Sequence, residues 1–434
     1  MTPQSTFLIV AVIREGQLGN LRKLLATMNT IVGHADPENN LVPFGRFDRL
    51  HVARFVILEA KTADDMKEYG LAPYEWRPTL AFLGDCDGDG DLFLTQLEKY
   101  AAPGLKKIFS YCEGFSEETT SVLEWMKAHN TRPSANYINW IGRTVKQVHE
   151  EAALHQNLSD YLQKIVNEDC REDTRALRQK LLSHVEMEKY AGQLTITPPE
   201  ATPLTWKIKN LLHGIGIPLI LLLLSPLFLV GAPLYFWRLR ILERSDPEIF
   251  IRPDRKHIQK LSVLEDQDVS NQFNVFGHVK PGLFRLLTLK FSLLLLNYSA
   301  RHIYNRGYLT RVKTIHFARW VLMDNNRRIY FASNYDGSQE SYMDDFINKV
   351  AWGLNLVFSN GVGYPSTKWL IKGGAEQEQK YKYTLRRHQL ASEVWYKAYP
   401  DLTAHELLRN SLIRQGVETR QSSDAEIRQW LSLI

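Results

Sequence analysis

Two short words hold most of the side chains that could do chemistry, and the chain writes each of them twice. His51-Val-Ala-Arg54, inside LHVARFVIL (Leu50 to Leu58), returns as His316-Phe-Ala-Arg319 inside IHFARWVLM (Ile315 to Met323). LAFLGDCDG (Leu80 to Gly88) returns as IYFASNYDG (Ile329 to Gly337), so Asp87-Gly88 matches Asp336-Gly337. An arginine on an apolar strand is costly to bury unless a carboxylate or an anionic ligand meets it. Arg54 and Arg319 therefore either pair with Asp87 or Asp336 at the end of the neighbouring strand, or line a cavity that holds an anionic group such as a fatty-acid carboxylate. In the second case Asp87 or Asp336 would do acid–base work. Period-2 alternation puts His51, Ala53, Phe55 and Ile57 on one face of the first strand and Arg54 on the other, and it splits His316 from Arg319 in the same way.

Gly84-Asp-Cys-Asp87-Gly88 resembles the Gly-x-x-Asp-Gly motif of the dye-decolourising peroxidases, a family with a haem pocket on a tandem ferredoxin-like fold. The second copy has Ser333 where the motif has its first glycine, and no Asn-Pro follows the motif. The resemblance implies haem as cofactor, Asp87 as the distal acid and a histidine as the proximal iron ligand. His316, His388, His129 and His51 are the candidate ligands, and Arg54 or Arg319 would hold a haem propionate. Recurrence between the copies also suits a structural role, because one haem needs one proximal histidine. The bland reading of Asp-Gly is a turn feeding a helix N-terminus. The words IHFARW, SNYDG and VKPG are also similar to words shared by a widespread set of bacterial membrane-associated proteins.

The elements that must position these residues follow from the repetition. GLKKIFS (Gly104 to Ser110) matches GLNLVFS (Gly353 to Ser359), and His129, Tyr137 and Thr144 match His388, Tyr396 and Thr403 at one offset. Words repeated at fixed spacing indicate an internal duplication. Each copy reads as strand, loop, strand, helix and a third strand at KKIFSYC or NLVFSNG, followed by helices. The loop is longer in the first copy. Thr144 to Gln147 and Thr403 to Glu406 read as capping boxes. Asn157 to Gly192 reads as charged helix, and Thr195 to Pro203 as a linker.

Length and composition bound the rest. A chain of 434 residues, 44% hydrophobic and 23% charged, predicts two or three packed units and little disorder. A net charge of +5 over that length, with no interleaved basic and aromatic motif, argues against nucleic acid. Cys86, Cys112 and Cys170 are too few and too scattered for a disulfide framework or a zinc site, so no metal centre is expected. The chain has no Gly-x-Ser-x-Gly, phosphate-binding loop or His-Glu-x-x-His.

Gly214 to Trp237 has no charged residue across 24 positions. It is long enough to span a bilayer, with lysines before it, arginines after it and aromatic residues at its end. The expected membrane-binding residues are Pro218, Leu222, Pro226, Phe228, Phe236, Trp237, Arg238 and Arg240. If the two copies pack together, however, the segment must enter and leave on one side. That points to monotopic attachment, with Leu283 to Leu296 lying at the interface and Arg285 and Lys290 reaching towards phosphates. The cluster Arg386-Arg387-His388 would suit anionic headgroups.

The expected fold is α+β: two tandem ferredoxin-like repeats in a pseudo-dimeric α+β barrel, with a helical membrane-binding insertion. The divisions are 1–156 for the first repeat, 157–203 for a helical linker, 204–300 for the insertion and 301–434 for the second repeat with its C-terminal helices. Asp246 to Pro281 is assigned to neither repeat. The expected function is a peripheral membrane enzyme at the cytoplasmic face of a bacterial inner membrane. It would oxidise a hydrophobic small molecule with haem. The alternative is a non-catalytic lipid-binding or scaffold protein that recruits a soluble protein partner to an anionic lipid surface. A hollow space lined by the histidines and arginines favours the enzyme; a filled core with Arg–Asp pairs favours the scaffold.

Overall fold

A computed structural model of the protein describes all residues except 74, 167–172, 420 and 422. With about 49% helix and 20% strand in several sheets, the chain is mixed α+β. Eight strands make its two main sheets: β1 (Gln4–Val12), β2 (Leu50–Leu58), β3 (Thr79–Asp87), β4 (Ala135–Ile138), β5 (Ser270–His278), β6 (Ile315–Met323), β7 (Arg328–Asp336) and β8 (Ser392–Lys397). One sheet has the order β1-β3-β2-β8 and the other β4-β6-β7-β5, and every neighbouring pair is antiparallel. Each sheet is thus completed by a strand from the opposite half of the chain: β8 pairs with β2, and β4 with β6.

Strands β2 and β3 are buried on both faces along their whole length, which explains their near-continuous apolar runs. Phe55, Ile57, Leu80 and Phe82 pack outward against the helices Leu18–Ala26 and α1 (Gly90–Phe109). Val56, Leu58, Ala81 and Leu83 pack inward against Phe276, Val321, Tyr330 and Ala332 of the other sheet. The second sheet is covered outside by α5 (Leu283–His302) and α6 (Gln339–Phe358). Helices α2 (Val145–Val166), Thr174–Tyr190, α7 (Ala404–Glu418) and Asp424–Leu431 form a side cluster around Leu158, Leu181, Ile413 and Trp430.

Several expectations are corrected. KKIFSYC and NLVFSNG supply no third strand, because the helix before each runs on through it, to Phe109 and Phe358. Leu94, Leu97, Ala101, Leu105 and Ile108 keep one helical stripe buried to the end. Gly104 lets that stripe lie against the backbone of Leu41, where a Cβ would sit 1.9 Å from the carbonyl oxygen. Within Asp246 to Pro281, Ser270–His278 is a full nine-residue strand in the same place as Gln4–Val12: Gln4 faces Asp87, and Ser270 faces Asp336. The loop-length difference holds. Residues 59–78 link β2 to β3, whereas Asp324, Asn325 and Asn326 turn the chain tightly in left-handed backbone. Of the cysteines, Cys86 and Cys112 are buried and free, and Cys170 lies outside the described residues.

The uncharged segment belongs to two helices, α3 (Leu204–Leu223) and α4 (Ser225–Ser245). Backbone hydrogen bonds bridge Leu224: its N–H reaches Ile220 O at 2.9 Å, and its carbonyl accepts Phe228 N at 3.0 Å. Together α3 and α4 form a long rod, broken at Leu224, whose two ends run antiparallel to α5. Arg301 lies 5.8 Å over Trp206 and donates to Asn210. Further along, Tyr298 donates to Gly214 O, Phe228 meets Phe291 at 6.0 Å and Tyr235 meets Phe284 at 5.1 Å.

Candidate functional site

The histidines, arginines and aspartates picked out in the sequence converge between the two sheets, in two matching sets. A β-bulge lies between Leu50 and Val52, and another between Ile315 and Phe317. The extra residue at each bulge is the histidine, and it turns inward rather than away from the arginine. The alternation-based assignment of His51 and Arg54 to opposite faces is therefore wrong at the bulge. The His51 ring sits 5.4 Å from Phe317 of the other sheet.

The partners also differ from those expected. His51 Nε2 meets Asp87 Oδ1 at 3.0 Å, and His316 Nε2 meets Asp336 Oδ1 at 2.5 Å. The second oxygen of each aspartate caps a helix: Asp87 accepts Val145 N at 2.9 Å at the start of α2, and Asp336 accepts Ala404 N at 2.7 Å at the start of α7. A carboxylate is favoured there because the first N–H groups of a helix lack intrahelical partners and carry partial positive charge. Each histidine–aspartate pair thus ties a bulged strand to the helix that closes its half.

The arginines cross between sheets. Arg54 Nη1 donates to Ser333 O at 2.9 Å, Asn274 Oδ1 at 3.1 Å and Phe273 O at 3.3 Å, and its guanidinium lies 4.5 Å from the Trp395 ring centre. Arg319 donates to Phe7 O at 3.1 Å and Gly84 O at 3.4 Å, and forms an ion pair with Asp85. Phe7 and Gly84 hold the same register places in the first sheet as Phe273 and Ser333 in the second. The difference is one position, Asp85 in the first copy and Asn334 in the second, so only Arg319 has a carboxylate. Burial pulls Arg54 down to about 10 and pushes the Asp85 carboxyl up despite Arg319 beside it.

Tyr399, missed in the sequence, completes the polar layer. Its hydroxyl lies 2.9 Å from His51 Nδ1, and its ring centre lies 6.5 Å from that of His316. Burial and the nearby Asp87 and Asp85 push its phenol well above the usual range. Asp87, His51 and Tyr399 form a polarised chain along which a proton can be held or passed. No sequence signal marked Tyr399, because its counterpart at the repeat offset is Trp140.

The remaining candidates lie elsewhere. His388 Nε2 bonds Asp65 at 3.1 Å, beside Arg387, which also pairs with Asp65. Burial opposes ionisation of Asp65, but hydrogen bonds from His388 and Arg387 hold it at about 2. This cluster is buried, and Arg386 pairs with Glu265, so 386–388 is not a headgroup-binding surface. His129 stacks on Trp125 at 4.0 Å, with Nδ1 2.8 Å from Trp125 O. A proximal ligand needs a free ring nitrogen facing open space. Both nitrogens of His51 are engaged, whereas His316, His388 and His129 each have one engaged, and a ligating histidine also engages its second nitrogen. Among the described residues, no group of three or more potential metal ligands occurs.

The second candidate surface is the α3–α4 rod. No residue of Leu204–Leu223 is buried, and Pro218, Leu222, Pro226, Phe228, Phe236, Trp237 and Arg238 are exposed. Arg240 is half-buried and pairs with Glu243. On α5, Leu289, Leu293 and Ala300 face the core, while Leu283, Leu287, Phe291, Leu294 and Leu295 extend the apolar surface of the rod. Lys290 is exposed, but Arg285 is buried against Asp246 and so does not reach outward as expected. Comparison of the chain with protein-family models, with curated proteins and with solved structures gives no match.

Proposed function

We propose that the protein is a monotopic membrane scaffold at the cytoplasmic face of a bacterial inner membrane. Two ferredoxin-like repeats, paired as a pseudo-dimer with exchanged fourth strands, form a rigid body that a helical plate holds against lipid. One observation carries the reading: an apolar rod with both ends tied to the body. Trp206 and Asn210 meet Arg301 at one end, and buried Glu243 receives Trp369 N and Leu370 N at the other. A segment fixed at both ends to one body enters and leaves a bilayer on the same side. An exposed apolar patch of this extent is a mark of an interaction surface. The packed space between the sheets, with Arg319 on Asp85, supports scaffolding over catalysis. The soluble face left free would receive the protein partner.

The test is flotation with liposomes. Protein with the natural sequence should float with the vesicles, while Leu222→Glu/Leu227→Glu, with unchanged circular dichroism, should stay at the bottom of the gradient. Equal flotation of the two would sink the reading. The second reading is a peripheral enzyme that oxidises a hydrophobic small molecule, favoured by the Asp87–His51–Tyr399 chain beside Asp336. On that reading Asp87 or Asp336 does the acid–base work and Arg54 or Arg319 holds an anionic group. A Soret band in protein from haem-supplemented cells, lost on changing one of His316, His388, His129 or His51, would put it in front.

A further inference from the structure

A second exposed apolar element stands at the α4 end of the plate. Strands Thr367–Lys368 and Lys372–Gly373 pair around a three-residue tip, Trp369-Leu370-Ile371. Leu370 points into the protein, whereas Trp369 is 41% and Ile371 43% exposed. Trp369 and Leu370 adopt φ of +60° and +59°, left-handed backbone that a water-facing turn fills with glycine or asparagine. The tip cannot drift away from the plate. Buried Glu243 accepts Trp369 N at 2.9 Å, Leu370 N at 2.9 Å and Thr367 Oγ1 at 3.0 Å. The Trp369 ring meets Phe236 at 5.9 Å, and Arg240 lies 5.2 Å from it. Trp237 is exposed nearby in the sequence, and Lys368 and Lys372 flank the tip, both exposed.

We propose that this tip is a second membrane anchor, which inserts Trp369 and Ile371 into the interfacial zone of an anionic bilayer beside Phe236, with Lys368 and Lys372 against lipid phosphates. The inference rests on the membrane reading above and adds an element outside the long apolar segment. Two features of the tip favour lipid as its occupant. Tryptophan is preferred at the boundary between headgroups and acyl chains, where its ring is apolar and its N–H can meet water. Lysines on either side complement lipid phosphates rather than an apolar protein partner. The buried Leu370 and the Glu243 bonds fix the height of the tip, so it and the rod would meet one surface together.

The experiment places an environment-sensitive fluorophore at residue 371 or 227, through Ile371→Cys, which keeps Trp369, or Leu227→Cys, in a Cys170→Ser background. Each labelled protein is mixed with vesicles of phosphatidylcholine and phosphatidylglycerol. Both probes should shift to the blue and brighten severalfold. A response at 227 with none at 371 overturns the tip anchor and leaves the rod as the membrane contact. Silence at both positions overturns the membrane reading and the anchor with it. Lys368→Gln/Lys372→Gln should weaken binding to the anionic vesicles by about fivefold per lysine, with binding to pure phosphatidylcholine unchanged. Equal affinity of this variant and the natural protein for anionic vesicles overturns the phosphate contact.

Discussion

The two crossing arginines offer a sharp test, because they hold equivalent places but leave different things behind when removed. Arg319→Met strands the Asp85 carboxylate in the space between the sheets and takes a donor from Phe7 O and Gly84 O. Breaking a buried ion pair from one side costs about 3–5 kcal/mol. Arg54→Met removes a donor from two carbonyls and an amide, with no charge stranded, and the loss is nearer 1–3 kcal/mol. The variants should therefore differ by roughly 2 kcal/mol at neutral pH, Arg319→Met being the weaker protein. The difference should also depend on pH. Burial already raises the Asp85 carboxyl with Arg319 present, and removing the arginine raises it further. A carboxyl with a raised folded-state pKa loses stability as pH climbs above its unfolded value, at about 1.4 kcal/mol per unit, until the folded group ionises. Urea unfolding followed by circular dichroism at pH 5 and pH 8 measures this. Arg319→Met should approach Arg54→Met at pH 5 and fall away at pH 8, and adding Asp85→Asn should flatten the profile. Equal losses for both arginines, with no relief from Asp85→Asn, would refute the argument.

Asp87→Ala and Asp336→Ala should each cost about 1–3 kcal/mol, since each removes a helix cap and a histidine partner together. Thermal unfolding checks this, and a variant as stable as the natural protein would show that its aspartate is not structural. Acid should weaken the fold in two steps. Burial, with Arg328 nearby, holds His278 neutral down to about 4, so its contribution is lost as pH falls from 6.5 towards 4. Asp65 sits at about 2, so roughly 2 kcal/mol present above pH 4 is lost as pH falls to 2. His278→Phe should remove the upper step from an acid titration and leave the lower one.

The repeated words were legible because the same register demands wrote them: His-x-Ala-Arg marks a bulged central strand, and Asp-Gly its neighbour's end. The side from which each histidine reaches was not legible, because a bulge breaks the two-residue period that assigns faces. Ser270–His278 was hidden by its own task. Gln272 and Asn274 face the other sheet, where Arg54 and Ser392 need acceptors, so the strand lacks the apolar run that Gln4–Val12 has. The last turns of α1 and α6 looked like strands because Ile108-Phe109 and Val357-Phe358 are short apolar runs, which period alone cannot assign. Arg285 looked interfacial because its partner, Asp246, lies 39 positions away in sequence. The anchor-like tip at Trp369 was overlooked for a plainer reason: three apolar residues between two lysines make no periodic signal.

The exchange of β4 and β8 has a consequence for how the protein is made. Strand β2 emerges from the ribosome early, yet the strand that covers its free edge is residues 392–397 of 434. Throughout most of synthesis, the first half exposes a nine-residue apolar edge able to template pairing with any other chain. Closing it needs contacts more than three hundred residues apart, the kind that form slowly. The halves of such a chain are not separable modules: a message truncated before the codons for Ser392 would yield an adhesive sheet, and proteolytic or genetic dissection at the linker would give two incomplete pieces that fold well only in each other's company.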